Sequence, residues 1–174
     1  RSLWIHVDGT CSPGNRNTGE ADVVVRELRR FEQWARKNPR PGEGGRAEPW
    51  EVAVLTFYRG QERVLREHLR KETREKSAYR TFELRSGDRV GARVELCTVD
   101  RFQGHEADVV FLSIANTRMT NFLESVNRLN VALTRARYQR VIVGNRLRLR
   151  KRAETLLGEL AKDERSQPDL GGEK

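Results

Sequence analysis

The sequence predicts an α/β domain built on a mainly parallel β-sheet flanked by helices. Strand-like and helix-like segments alternate along the 174 residues. Two strand segments, 52–56 and 108–115, are apolar almost throughout, as strands covered on both faces are. The length fits one hydrophobic core.

Residues 3–7 read as a short strand, ended by Asp8-Gly9-Thr10 and Ser12-Pro13-Gly14. From 19 to 37, Val23, Val24, Leu28, Phe31 and Trp34 recur at helical spacing, with Thr18 as N-cap and Glu20 in the first turn. Residues 38–45, rich in Pro and Gly, read as a surface loop. After the strand 52–56, the helix 61–75 sets Val64, Leu65, His68 and Leu69 against a charged face. Strands at 79–84 and 93–99 are separated by Ser86-Gly87-Asp88, and the apolar run 108–115 follows. A short helix at 129–137, a strand at 140–144 and one closing helix at 147–160 complete the pattern. A single domain is expected over 1–161 and a disordered tail over 162–174. The start at Arg1, without Met, suggests a piece of a longer polypeptide. Trp4, Trp34 and Trp50 read as packing residues, and His6 and His68 as structural ones.

Lys and Arg number 34 against 25 acids, a net charge of +9, and 28 of the cations are Arg. Arg forms forked contacts with phosphate, so a phosphate-bearing partner is the first to consider. No apolar run approaches the roughly 20 residues that span a bilayer, and no signal peptide opens the chain, so an intracellular, non-membrane protein is expected. Cys11 and Cys97 lie far apart without metal-ligand spacing, and no metal site is expected.

In α/β sheets, ligands gather at the carboxyl ends of strands, which directs attention to the loops that follow them. Residues 100–108 (Asp-Arg-Phe-Gln-Gly-His-Glu-Ala-Asp) put acid, amide, Gly and His in one loop. Gly104 permits a left-handed turn or close approach of a ligand, and Glu106 can accept from sugar hydroxyls. The competing structural reading is a plain connection with a turn Gly and a solvated Glu. His105 reads as solvent-facing. In 127–137 (Asn-Arg-Leu-Asn-Val-Ala-Leu-Thr-Arg-Ala-Arg), Arg128 and Arg135 stand seven residues apart, two turns along nearly one helical face. A guanidinium held on a rigid element suits a γ-phosphate. The plainer reading is a basic helix.

These residues carry a family resemblance. Thr98 to Glu106 followed by Asn127 to Arg137 resembles motifs V and VI of superfamily 1 helicases, in the up-frameshift-type branch that includes senataxin-like enzymes. Thr56-Phe57-Tyr58-Arg59-Gly60-Gln61 resembles that branch's motif IV, with Phe57 where Pro is usual, and Asn17 with Glu20-Ala21 matches the opening of the family's first helix. The resemblance covers about residues 3 to 150 and implies the second, C-terminal RecA-like motor domain of an ATP-dependent DNA or RNA helicase.

It implies further that ATP with Mg²⁺ is the cofactor, and that the Walker A loop and the metal ligands belong to an N-terminal RecA-like partner domain. The 174 residues contain no Gly-x-x-x-x-Gly-Lys-Ser/Thr loop. By resemblance, Arg135 is the arginine finger and Gly104 with Glu106 approaches the γ-phosphate and ribose. Gln103 and Arg128 couple the nucleotide to the interdomain cleft. Thr98, Tyr58 and Gln61 contact single-stranded DNA or RNA. The alternative is a non-catalytic nucleic-acid-binding or partner-docking module on the same fold.

Overall fold

A computed structural model describes residues 2–116, 118, 125–152 and 154–162. In chain order these form β1 (Ser2–His6), α1 (Thr18–Lys37), β2 (Arg40–Pro41), β3 (Ala47–Glu48), β4 (Trp50–Thr56), α2 (Arg59–Thr73), β5 (Thr81–Ser86), β6 (Arg89–Thr98), β7 (Ala107–Ser113), α3 (Val126–Thr134), β8 (Ala136–Gly144), α4 (Arg146–Arg150) and α5 (Leu156–Lys162). The main sheet runs β1-β8-β7-β4-β6-β5. Every neighbouring pair is parallel except the β5–β6 hairpin. The mainly parallel α/β architecture is therefore the one the alternating pattern predicts.

Side-chain alternation along the central strands divides the core into two layers. Val52 and Val54 of β4 join Val109 and Phe111 of β7 beneath α1 and α2. Ala53 and Leu55, with Val110 and Leu112, face α3, α4 and α5. Both faces are covered, which explains the unbroken apolar runs. Phe57, in the place where Pro is usual, is buried in the second layer.

The local corrections have physical causes. The N-cap of α1 is Asn17, not Thr18: its Oδ1 accepts from Glu20 N at 3.0 Å. Residues 38–48 are not plain loop, because β2 and β3 pair antiparallel around a short 3-10 turn. The helix expected over 129–137 stops at Thr134, whose hydroxyl donates back to Asn130 O at 2.6 Å, and the β7–β8 ladder captures the chain from Ala136. The single closing helix is two helices, the second begun by Thr155, whose Oγ1 accepts from Gly158 N at 3.1 Å. Of the tail expected over 162–174, Lys162 ends α5 and the rest lies outside the described residues. Trp4 is buried, whereas Trp34 is 47% exposed and forms a ring cluster with Phe31 and Trp50, joined by Tyr138 on Trp50.

Topology sets where the loops deliver their residues. Strand β4 lies between β6 and β7 and is parallel to both, so the chain must return from Thr98 to Ala107 along the whole height of β4. Eight residues, 99–106, make that return; they reach at most about 28 Å, and a seven-residue strand is about 23 Å long. The connection has little slack. Thr98 stays at the carboxyl rim of the sheet, and Gly104 to Glu106 arrive at the amino rim.

At the carboxyl rim the loop after β1 packs on the start of α2. A Cβ on Gly60 would lie 1.9 Å from the carbonyl oxygen of Gly14. Gly60→Ala is expected to destabilise the domain by about 1–3 kcal/mol through overpacking, read as a lowered urea midpoint. An unchanged midpoint would mean that the loop yields freely.

Candidate functional site

The amino rim gathers the residues expected at a nucleotide. Arg135 is the C-cap of α3, and its carbonyl accepts from Ala107 N at 3.0 Å, which ties the end of the helix to the start of β7. Its Nε is buried and has no hydrogen-bond partner among the described residues. Leaving a buried donor unpaired costs about 1–3 kcal/mol, and Arg80 Nε is the other such atom among the described residues. Gly104, three residues before Ala107, stands at φ +88, a left-handed backbone that explains glycine there, and a Cβ would meet nothing within 4 Å. Gln103 and Glu106 are exposed.

Arg137, two residues beyond Arg135 in β8, is the organising cation of the rim. Its Nη1 donates to Glu51 Oε2 at 2.9 Å and to Asp108 Oδ1 at 3.2 Å, and its Nε lies 3.5 Å from Glu106 Oε2. Asp108 is fully buried; its other oxygen accepts from Glu51 N at 2.9 Å and pairs with Arg40 Nε at 3.0 Å. Two guanidiniums and a backbone amide thus compensate one buried carboxylate. Sequence reading left Arg137 and Asp108 without roles. The signal was an acid opening an otherwise apolar strand, which needs a cation to be buried there.

Arg128 donates from Nε to Asp100 Oδ1 at 2.9 Å, fastening α3 to the 3-10 turn Val99–Phe102 on the returning loop. His105 is exposed, with Nδ1 3.5 Å from Glu95 Oε2 and its ring against Phe102.

The carboxyl rim holds the residues expected at a nucleic acid. Thr98 ends β6 opposite Thr56 and is 8% exposed; Tyr58, the half-buried N-cap of α2, stands two residues beyond the end of β4. Gln61 is a correction. It is fully buried, with Oε1 accepting from Asn17 N at 2.7 Å and Nε2 donating to Asn17 O at 2.9 Å and to Ser113 Oγ at 3.0 Å. A side chain so enclosed locks α1 to α2 and leaves nothing to offer a strand.

Glu20 completes that lock, and the sequence did not disclose it. The carboxylate is fully buried and accepts from Ser113 Oγ at 2.7 Å, Ala115 N at 2.8 Å and Asn17 Nδ2 at 3.2 Å. Ala115 is held at φ +62, a conformation that costs a residue with a side chain and that the bond to Glu20 helps to hold. Desolvation pushes the Glu20 carboxyl up to about 7, against the lowering effect of its hydrogen bonds to Ser113 and the backbone.

Among the described residues, no group of three or more His, Cys, Asp or Glu could hold a metal ion, and no helix is long and apolar enough to cross a membrane.

A mainly parallel sheet carries at its amino rim Arg135, whose Nε has no hydrogen-bond partner among the described residues, and the end of a loop bearing Gln-Gly-x-Glu. A sequence profile described as an AAA domain matches residues 4–147. Over 100 residues the chain is 35% identical to Regulator of nonsense transcripts 1 of Dictyostelium discoideum, covering 56% of this chain and 7% of that protein. Over 115 residues it is 35% identical to Helicase sen1 of Schizosaccharomyces pombe, covering 64% of this chain and 6% of that one. The C-terminal domain of a possible DNA helicase from Lactobacillus plantarum superposes with a TM-score of 0.43 at 14% identity, covering 83% of this chain and 73% of that one. The chain belongs to the AAA domain family, as a superfamily 1 helicase C-terminal domain of the up-frameshift type. It spans less than a tenth of the length of the two sequence relatives.

Because the folded carboxyl of Glu20 titrates above its ordinary value, the folded state holds the proton more tightly than the unfolded chain. Stability from this group is full below about pH 4.5 and is lost as pH rises through about 7. Relative to Glu20→Gln, the wild type is expected to lose up to about 3 kcal/mol between pH 4.5 and 8, measured by denaturant unfolding. Parallel pH profiles would contradict the assignment.

Proposed function

We propose that this chain is the C-terminal motor half of an ATP-dependent nucleic-acid helicase or translocase. It completes a nucleotide site at the amino rim of its sheet and grips single-stranded DNA or RNA at the carboxyl rim. The observation that carries the reading is the buried Nε of Arg135, which has no partner among the described residues, together with the open, left-handed Gly104 on the loop that leads to Ala107. Both features fit a phosphate-bearing ligand: the buried Nε–H can donate to one, and the glycine leaves room for it.

ATP, when bound with Mg²⁺, supplies the γ-phosphoryl group for transfer to water. Arg135 donates to the oxygens on which negative charge develops, from a backbone fixed by Ala107, so little reorganisation is needed during reaction. Glu106 accepts from ribose hydroxyls, and the Arg137–Asp108 pair sets the position of its carboxylate. Arg128 and Gln103 transmit the state of the site along the loop 99–106 to Thr98. The phosphate cradle and the metal ligands come from an N-terminal RecA-like domain.

At the other rim, Thr98 and Tyr58 contact the strand, through phosphate and through stacking. A motor that advances along any sequence must hold backbone rather than read base edges, so its grip is electrostatic and weakens with salt. Closing and opening of the two-domain cleft shifts one grip relative to the other.

Two variants of the full-length natural polypeptide test the reading by single-strand-stimulated ATP turnover. Arg135→Ala is expected to lower kcat by about 10³-fold or more while ATP binding is largely kept. A wild-type rate in that variant would refute the assignment, and no stimulated turnover in either form would favour a non-catalytic binding module. Glu106→Ala is expected to raise KM for ATP more than it lowers kcat; a pure kcat defect would remove Glu106 from the ribose.

A further inference from the structure

The two rims of the sheet differ in how their arginines are used. At the amino rim, Arg40 and Arg137 are spent on Glu48, Glu51, Glu106 and Asp108. At the carboxyl rim, Arg59 follows β4, Arg101 follows β6 and Arg118 follows β7; all three are exposed, and none enters an ion pair with any described residue. The densest group follows β8, where Arg146 to Arg152 read Arg-Leu-Arg-Leu-Arg-Lys-Arg.

That run has a defined place. Asn145 caps α4 by accepting from Arg148 N at 3.0 Å, and the N–H of Arg146 donates to His6 Nδ1 at 3.1 Å, so α4 starts at the ends of β8 and β1. Leu149 is fully buried against the second core layer, which fixes the rotation of the short helix. Arg150, Lys151 and Arg152 are exposed at its end. Arg150 and Lys151 have no acidic partner among the described residues, and Arg152 has only Glu154 at 3.8 Å, with both side chains more than half exposed. An exposed pair of that length adds little stability, so these three charges do not hold the fold.

We infer that the turn 150–152 is a second contact for the sugar-phosphate backbone. The bound strand then crosses the carboxyl rim from Thr98 to this turn, passing over β6, β4, β7 and β8 in order. Three strand spacings separate β6 from β8, roughly 14 Å. The segments that follow β6, β4 and β7 contribute the exposed Arg101, Arg59 and Arg118. A polyanion with regularly spaced phosphates is the ligand such a set of exposed cations fits. The inference rests on the reading of the chain as a strand-gripping motor half and adds the route and its far anchor.

Equilibrium binding of fluorescein-labelled single-stranded dT and U oligonucleotides to the full-length natural polypeptide, between 50 and 200 mM salt, tests it. The triple variant Arg150→Ser, Lys151→Ser, Arg152→Ser is expected to weaken binding about tenfold or more at low salt. It should also reduce the slope of log K against log salt by about 2, near 0.7 for each lost phosphate contact. A charge-matched variant on the β5–β6 hairpin, Arg85→Ser, Arg89→Ser, Arg93→Ser, should change affinity less than twofold. An unchanged slope in the first variant, or equal losses in both, would overturn the inference. If the wild type binds strands and Arg135→Ala abolishes turnover, such a result leaves the motor reading standing. A wild type that binds no single strand would overturn both.

Discussion

The parallel pairing of β6, β4, β7 and β8 is the constraint on which the molecule depends. Parallel neighbours align every carboxyl end on one rim and every amino end on the other, and each connection must then travel the height of the sheet. The loop 99–106 makes that journey with almost no spare length. It therefore acts as a strut, with Thr98 at one end and Glu106 at the other. Thr98 and Tyr58 stand at the carboxyl rim, whereas the return path and the start of β8 carry Gly104, Glu106 and Arg135 to the amino rim.

Two buried acids fasten the rims. Asp108 binds the starts of β4, β7 and β8 through Glu51 N, Arg137 and Arg40. Glu20 binds the end of β7 to α1, and through Asn17 and Gln61 to α2. Each is costly without its partners, so each specifies one arrangement of the elements around it. Their electrostatic character differs. Asp108 is met by cations, whereas Glu20 is met only by neutral donors, and burial raises its carboxyl to about 7.

Much of this was legible in the residues. Apolar runs covered on both faces give the parallel sheet, and helical spacing gives α1 and α2. The motif-like blocks point to the loop 99–106 and to Arg135. What the residues could not disclose is decided in three dimensions. Gln61 reads as a polar residue free to contact a strand until its three hydrogen bonds are seen. The end of α3 at Thr134 is followed at once by the β7–β8 ladder from Ala136, a pairing that the local residues do not disclose. Asn17 outcompetes Thr18 as cap because its neighbours on α2 hold it in place.

The proposed motor half holds nucleotide and strand at opposite rims of one sheet. Hydrogen exchange of the full-length natural polypeptide, with a non-hydrolysable ATP analogue or with a single-stranded oligonucleotide, tests this most directly. The analogue should slow exchange in 103–107 and 135–137, and the oligonucleotide in 57–60, 98–101 and 147–152. Protection of all these segments by one ligand alone, or the two patterns exchanged, would contradict it.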